Sequence, residues 1–362
     1  LAFLAIAILN LASSLVHGLG SGSFAMAACW LALAVFAVLC GGIPCDQHAM
    51  ALNGLGWFVV VTAVVGILAA AGVLPPEGTM AAGRLCILFE YSNATGIWFG
   101  MGALVLASSD DGRLRSLGVL PLFALLLTKS VGAIVVTAVA LAVVAIWGLR
   151  RHEELHAVLL AASWVGAVGS FAVYLVMPRV GAAAVVVVVA VMLGFGARLK
   201  SGASLTRVVV LVAGGLTLAA VVGVLVWEPA RWAQAQETFA ERLVQKHDGL
   251  SLLVAQPWLG VGPGQWAELY GDVQTADYIA TVNHCSYLQM ALDGGIVAPV
   301  IFAAVTGFAV VQCARRGNFL WAMAGAMLLV HSIFDFDLSF FALQFFLVLL
   351  VSSANDDVSE RH

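Results

Sequence analysis

The residues with chemistry to offer gather in one stretch of the chain. Between Pro229 and Gly295 lie Arg242, Lys246, His247, Asp248, the turn-rich run Pro257–Trp266 (PWLGVGPGQW), Asn283, His284 and Asp293. Arginine presents a planar fork that binds phosphate oxygens two at a time. Histidine exchanges a proton near neutral pH. An anion clamp near a base is the minimal equipment for transferring a group away from a phosphate. Each residue also has a plainer reading. A histidine on its own is more often a helix cap or a surface group, and His17, His48, His152, His156 and His362 read as solvated or interfacial. His247, close to Arg242, is a second candidate beside His284. The glycines Gly260, Gly262 and Gly264 invite a nucleotide-loop reading, but no soluble strand precedes them and no Lys-Ser/Thr follows. A tight turn that places Trp266 explains them.

The elements that must position these residues are membrane helices. Of 362 residues, 62% are hydrophobic and 10% charged, with a mean hydropathy of +1.03. A soluble domain carries about 25% charged residues, so the solvent of this chain is largely lipid. Apolar runs of ~20 residues, the length that crosses a bilayer as a helix, recur without the alternation of a transmembrane barrel. The pattern predicts an all-α, polytopic bundle of about twelve helices in a single integral membrane domain, 1–362. The expected spans are 1–16, 24–42, 52–74, 93–109, 117–128, 131–149, 157–177, 180–196, 207–227, 286–312, 319–334 and 338–353. The run from Leu1 to Val16 is read as the first span, with a signal peptide as the alternative.

Orientation follows from the cytoplasmic excess of Lys and Arg. With both termini inside, the inner loops hold Arg113, Arg115, Arg150, Arg151, Arg198, Lys200, Arg207, Arg315 and Arg316, and the tail holds Arg361. Arg84, Lys129, Arg179, Arg231, Arg242 and Lys246 then fall outside, against the bias. An anionic ligand is one reason for outer basic groups; pairing with Glu90, Glu228, Glu237, Glu241 or Asp248 is the plainer one, preferred for Arg179, Arg231 and Lys246. Residues 228–285 form a long outer loop between the ninth and tenth spans, a length that is usually functional. Its first part, Pro229 to Val254, mixes apolar and charged residues at helical spacing and suits the membrane surface.

The order of motifs resembles the O-antigen ligase and O-antigen polymerase superfamily. The main match runs from Arg242 and Asp248 through Pro257, Gly260, Gly262 and Gly264 to Asn283, His284, Tyr287, Leu288, Gln289, Asp293 and Gly295. Flanking matches are Arg84 to Asn93 (RLCILFEYSN), Leu125 to Ala133 (LLLTKSVGA) and His331 to Leu338 (HSIFDFDL). The resemblance implies a metal-independent, inverting glycosyltransferase of the cytoplasmic (inner) membrane, its active site facing outside. Its donor would be a glycan on a polyprenyl diphosphate, its acceptor a glycan or glycolipid hydroxyl, and its surroundings membrane lipid. No cofactor, metal or nucleic acid is implied, and the six cysteines lack metal-ligand spacing.

Carried over residue by residue, the resemblance makes His284 the base and Arg242 and Arg84 the diphosphate binders. Lys129 adds a positive charge where the family segment continues Ser-Arg; here Val131 follows Ser130. Asp293, Asp335 and His331 are supporting residues. Asp293 is expected to meet a basic partner, and His331, one turn before Asp335, is expected to hydrogen-bond to it. Cys86 and Cys285 adjoin Arg84 and His284, and a disulfide between them would staple the site. Two other readings stand beside the transferase. One is a polysaccharide or lipid-linked glycan transporter or flippase, although no internal repeat is visible. The other is a divergent, non-catalytic family member, which Val131 keeps open.

Overall fold

The computed structural model describes residues 1–18, 20–42, 45–151, 154–196 and 229–353. Among these residues the regular structure is fifteen α-helices, one 3-10 turn (Asp337–Ser339) and one antiparallel pair of two-residue strands. In that pair, β1 (Met80–Ala81) and β2 (Arg84–Leu85), Met80 faces Leu85 and Ala81 faces Arg84. The chain is all-α, as its composition requires. The helices are α1 (Ala2–Val16), α2 (Ser21–Gly41), α3 (Cys45–Ala70), α4 (Ser92–Ser108), α5 (Gly112–Ser116), α6 (Val119–Leu127), α7 (Val131–Arg151), α8 (Glu154–Val176) and α9 (Pro178–Gly196). After them come α10 (Pro229–Ala255), α11 (Trp266–Val273), α12 (Ser286–Gly294), α13 (Val297–Arg315), α14 (Phe319–His331) and α15 (Phe341–Ser353).

Among the described residues, five helices are long and apolar enough to cross a bilayer: Ser23–Gly41, Met50–Ala70, Val131–Arg151, Leu155–Val176 and Val297–Arg315. Shorter apolar helices accompany them at Ala2–Val16, Pro178–Gly194, Phe319–His331 and Phe341–Ser352. The protein is a multi-pass membrane protein. The expected span 207–227 lies outside the described residues.

The chain divides into two compact units, one of Leu1–Ile43, Ala230–Gly317 and Leu329–His362, the other of Pro44–Pro229 and Asn318–Leu328. In the second unit α4 and α6 are the core: α4 is buried at nearly every position, and all nine residues of α6 are buried. Helices that are apolar all round belong in such a place. Their neighbour α7 turns Val131, Val135, Val139, Val143 and Ile146 outward at helical spacing. Facing water, that stripe would cost about 25 cal/mol for each Å²; facing lipid it costs nothing. On its other side α7 approaches α4 closely because Gly96 and Gly100 lack side chains. A Cβ on Gly96 would stand 2.8 Å from the Cβ of Ala133, and one on Gly100 would collide with Oγ1 of Thr137. This is the small-xxx-small contact by which membrane helices approach.

In the first unit α1, α2, α13 and α15 pack together, with Trp30 between the rings of Phe3 and Phe302. Helices α10, α11 and α12 close on a smaller core of Leu253, Val261, Trp266, Tyr278, Ala280, Leu288, Ala291 and Leu292. Helix α10 starts on Pro229, whose missing N–H costs nothing in a first turn. It ends at Ala255, ahead of Pro257, which disfavours helical geometry in the residue before it. One of its faces buries Gln245 and Asp248, while Phe239, Leu243, Leu250 and Val254 are exposed, the amphipathic character its spacing predicts.

The expected span 286–312 is instead two helices, α12 and α13, broken at Gly295. Gly295 has φ +83°, and a Cβ there would run into the carbonyl of Trp258. The next residue, Ile296, donates its N–H to the Pro257 carbonyl at 2.9 Å. The helix breaks because the Pro257–Gly264 turn docks where a continuous helix would stand. The expected span 117–128 is likewise preceded by a separate short helix, α5, which Asp111 caps by accepting the Arg113 N–H at 2.8 Å.

Candidate functional site

His284 is positioned from its backbone outward. Two residues later Ser286 opens α12, and its N–H donates to the carbonyls of Ser332 and Asp335 at 2.9 and 3.1 Å. Its hydroxyl donates to the same Asp335 carbonyl at 2.9 Å and accepts from the Leu338 N–H at 3.2 Å. The start of α12 is thereby pinned to the turn after α14. On the other flank the Asn283 N–H donates to Oε1 of Gln289 at 2.8 Å, and Nε2 of Gln289 donates to Oδ1 of Asp293 at 2.9 Å. The same carboxylate oxygen accepts the Gly264 N–H at 3.2 Å. Asp293 therefore orients the glutamine that holds the residue before His284, and it ties the glycine-rich turn to α12. Its donors are neutral amides, not the basic side chain expected for it.

The glycine turn is set by its own geometry. Gly260, Gly262 and Gly264 all have positive φ, and a Cβ on Gly260 would collide with the Leu292 and Ala291 carbonyls. Val261 and Gly262 both donate N–H groups to the Leu292 carbonyl, at 2.8 and 3.1 Å. Helix α1 also holds the turn: Ser13 donates its hydroxyl to the Leu259 carbonyl at 2.7 Å, and Nε2 of His17 lies 3.0 Å from the Gly260 carbonyl. His17 thus has a structural partner that its sequence context did not suggest.

The imidazole of His284 lies with Nδ1 2.7 Å from Oε1 of Gln245, and its ring stands edge-on to Phe336 at 5.0 Å. Burial, helped by the positive charges of Arg242 and Lys246 and opposed by Asp335, pushes its pKa down from 6.5 to about 4. At neutral pH it is an uncharged imidazole. Arg242 donates from Nη1 to the Phe334 carbonyl at 2.7 Å and pairs with Oδ2 of Asp335 at 3.1 Å. One turn on, Nζ of Lys246 sits 4.7 Å from the centre of the Phe334 ring. Burial, with Arg242 adding to it, holds the pKa of Lys246 below its usual value against the pull of Cys285 and Asp335. Two cations and a neutral imidazole thus share one neighbourhood, with Asp335 as their counter-charge.

The expected His331–Asp335 hydrogen bond is replaced by another. Asp335 is committed to Arg242, and Nδ1 of His331 bonds Oδ2 of Asp337 at 2.6 Å, both groups buried. The Asp337–Ser339 segment is a 3-10 turn, and that turn rather than the helix spacing decides which acid reaches back. Asp248 is the other buried acid. It accepts from the Thr275 N–H and hydroxyl at 3.0 and 2.8 Å and from the Tyr278 hydroxyl at 2.9 Å. Burial alone would raise its pKa, but these bonds outweigh it and hold the carboxyl below the usual value. The 274–280 segment is thereby fastened to α10. His247, mostly exposed, has Nδ1 3.2 Å from Oδ1 of this acid.

The second unit holds Arg84 and Lys129. Arg84 donates from Nε to the Thr128 carbonyl and from Nη2 to Oδ1 of Asn93, both at 2.9 Å. Two separated sequence matches, Arg84–Asn93 and Leu125–Ala133, are therefore joined there. Lys129 has φ +50°, and Val131 is exposed at the start of α7. Cys86 and Cys285 are both free thiols, so the expected staple is not formed. The sequence reading passed over Gln245 and Ser286, took Lys246 for a paired lysine of a solvated loop, and named Gln289 only within the family motif. For Gln245 and Lys246 a signal existed: Gln245 follows Glu241, and Lys246 follows Arg242, by four residues, one helical turn.

Residues 116–303 match the family model described as O-antigen ligase. The matched range includes Lys129, Arg242, His284 and Asp293. No curated protein matches the chain.

Proposed function

The chain belongs to the O-antigen ligase family, and from that premise we propose that it transfers a glycan from a polyprenyl-diphosphate carrier to an acceptor sugar hydroxyl on the outer face of the cytoplasmic membrane. It is a multi-pass membrane protein of the ligase/polymerase type. In the proposed topology both termini are cytoplasmic and residues 228–285 are outside, which the distribution of Lys and Arg supports.

The observation that carries the reading is the neutral His284 beside Arg242 and Lys246. In the proposed reaction the acceptor oxygen attacks the anomeric carbon, its proton passes to His284, and the bond to the diphosphate oxygen breaks with inversion. A diphosphate is already a good leaving group, so the protein has two tasks. Arg242 and Lys246 hold the charge that builds on the leaving oxygens. His284 accepts the proton, a contribution of about 10²–10⁴-fold for a well-placed base. Both tasks fall to side chains, which is why we propose metal-independent transfer. Asp335 keeps Arg242 in place, and the His331–Asp337 pair and Asp293 support the surrounding turns. For Arg84 and Lys129 the proposal remains binding of phosphate, supported by their basic side chains alone.

The test is glycan transfer by the purified protein from a polyprenyl-diphosphate donor with chelator present, comparing wild type with His284→Ala and Arg242→Ala. Release of polyprenyl diphosphate with a new inverted glycosidic bond is expected, at least 100-fold slower in each variant by the estimate of about 10² for such groups. Undiminished transfer by His284→Ala would remove the proposed base.

A further inference from the structure

We propose that Gln245 is the positioning residue for His284, holding its proton on Nδ1 so that Nε2 faces the acceptor hydroxyl, and that Glu241 fixes the amide that does so. The inference rests on the base role proposed for His284.

The argument is one of donors and acceptors. Gln245 is fully buried, and its amide has two neighbours: Oε1 of Glu241 at 3.0 Å and Nδ1 of His284 at 2.7 Å. An ionised carboxylate only accepts, so the amide nitrogen of Gln245 faces Glu241 and the amide oxygen faces His284. That oxygen also only accepts. The imidazole is neutral at physiological pH, and a neutral imidazole has one N–H, so that proton sits on Nδ1. The lone pair that takes a proton is then on Nε2, which bonds to none of the described residues. Without Gln245 the two tautomers would compete, and half-turned or wrongly protonated rings would be idle. Glu241 is exposed, but it lies one turn before Gln245 on α10 and needs only to orient the amide. The backbone carbonyl of Gln245 accepts from Nδ2 of Asn283 at 2.9 Å, so the residue holds the catalytic turn twice, once through a group that no substitution removes.

The experiment uses the full chain in detergent or nanodiscs, with ¹⁵N-labelled histidine for tautomer assignment and kinetics for function. Gln245→Met keeps the length and loses the acceptor. It is expected to lower kcat by about 10- to 100-fold, part of what a base contributes, with donor KM changed by no more than about threefold. The exchange variant Glu241→Gln with Gln245→Glu keeps both contacts, reverses the direction of the bond between 241 and 245, and places a carboxylate acceptor on Nδ1. It is expected to restore kcat and to move the acid limb of the pH profile upward, because the carboxylate stabilises the imidazolium. The charged groups facing His284, Arg242 and Lys246 from α10 and Asp335 after α14, are unchanged in both variants. A wild-type spectrum with the proton on Nε2, or wild-type kcat in Gln245→Met, would overturn the proposal. So would an exchange variant that folds and binds donor but stays at the Gln245→Met rate. The tautomer is read without turnover, which separates this inference from the transferase reading. An active His284→Ala would sink that reading, whereas an inactive His284→Ala with a fully active Gln245→Met would sink only this one.

Discussion

Lowering the pH from 7.5 to 5 should leave transfer almost untouched. His284 is the proposed base and must be unprotonated to act. An ordinary histidine, with a pKa of about 6.5, is only about 3% neutral at pH 5 and would lose about 30-fold in rate. With its pKa pushed to about 4, His284 stays about 90% neutral at pH 5 by the same relation. The causes are burial first, then Arg242 and Lys246, with Asp335 opposing. Because kcat/KM reports groups of the free enzyme, the assay is initial rate at low donor concentration across pH 4 to 8, with recovery at pH 7.5 checked after each exposure. Removing one cation by Lys246→Gln should move the acid limb upward, by less than the full displacement since burial remains. The same shift bears on stability. The unfolded chain takes its proton near pH 6.5 and the folded one only near 4, so stability is lost as pH falls through that window. The total is on the order of 3 kcal/mol, and His284→Gln should flatten that slope. A wild-type limb between pH 6 and 7 would refute the electrostatic reasoning.

Three other outcomes are expected. Lys246→Gln should cut kcat/KM for the diphosphate donor by about tenfold, the order of one lost charge contact, while acceptor KM holds; an unchanged donor dependence would take Lys246 out of the site. Asp248→Asn should lower the unfolding temperature, since Thr275 and Tyr278 lose their charged acceptor, at a cost of about 1–3 kcal/mol; a thermal scan with no change would contradict the fastening of 274–280 to α10. Gly100→Val should destabilise the protein by about 1–3 kcal/mol through overpacking against Thr137, and a fully stable variant would show that α4 and α7 are not in close contact.

The sequence by itself determined the all-α, multi-pass character of the chain, and it singled out His284 and Arg242 as candidates. These are legible because a membrane helix is a local property: ~20 apolar residues suffice, whatever else the chain does. The order of Arg242, the glycine turn and His284 is equally local. What the sequence could not decide was partnership. Arg242 meets Asp335 across nearly a hundred residues, and that pairing leaves His331 to Asp337. Lys246 was indistinguishable from a solvated lysine until α10 laid it over Phe334. Asp293 was expected to find a cation and found Gln289 and the Gly264 amide instead. The span at 286–312 breaks because Gly295 takes φ +83° where the Trp258 carbonyl passes, and a sign of φ is invisible in a run of apolar letters. Hydropathy is summed along the chain, whereas hydrogen bonds and charges are satisfied across it, so only the tertiary structure could say which groups meet at the site.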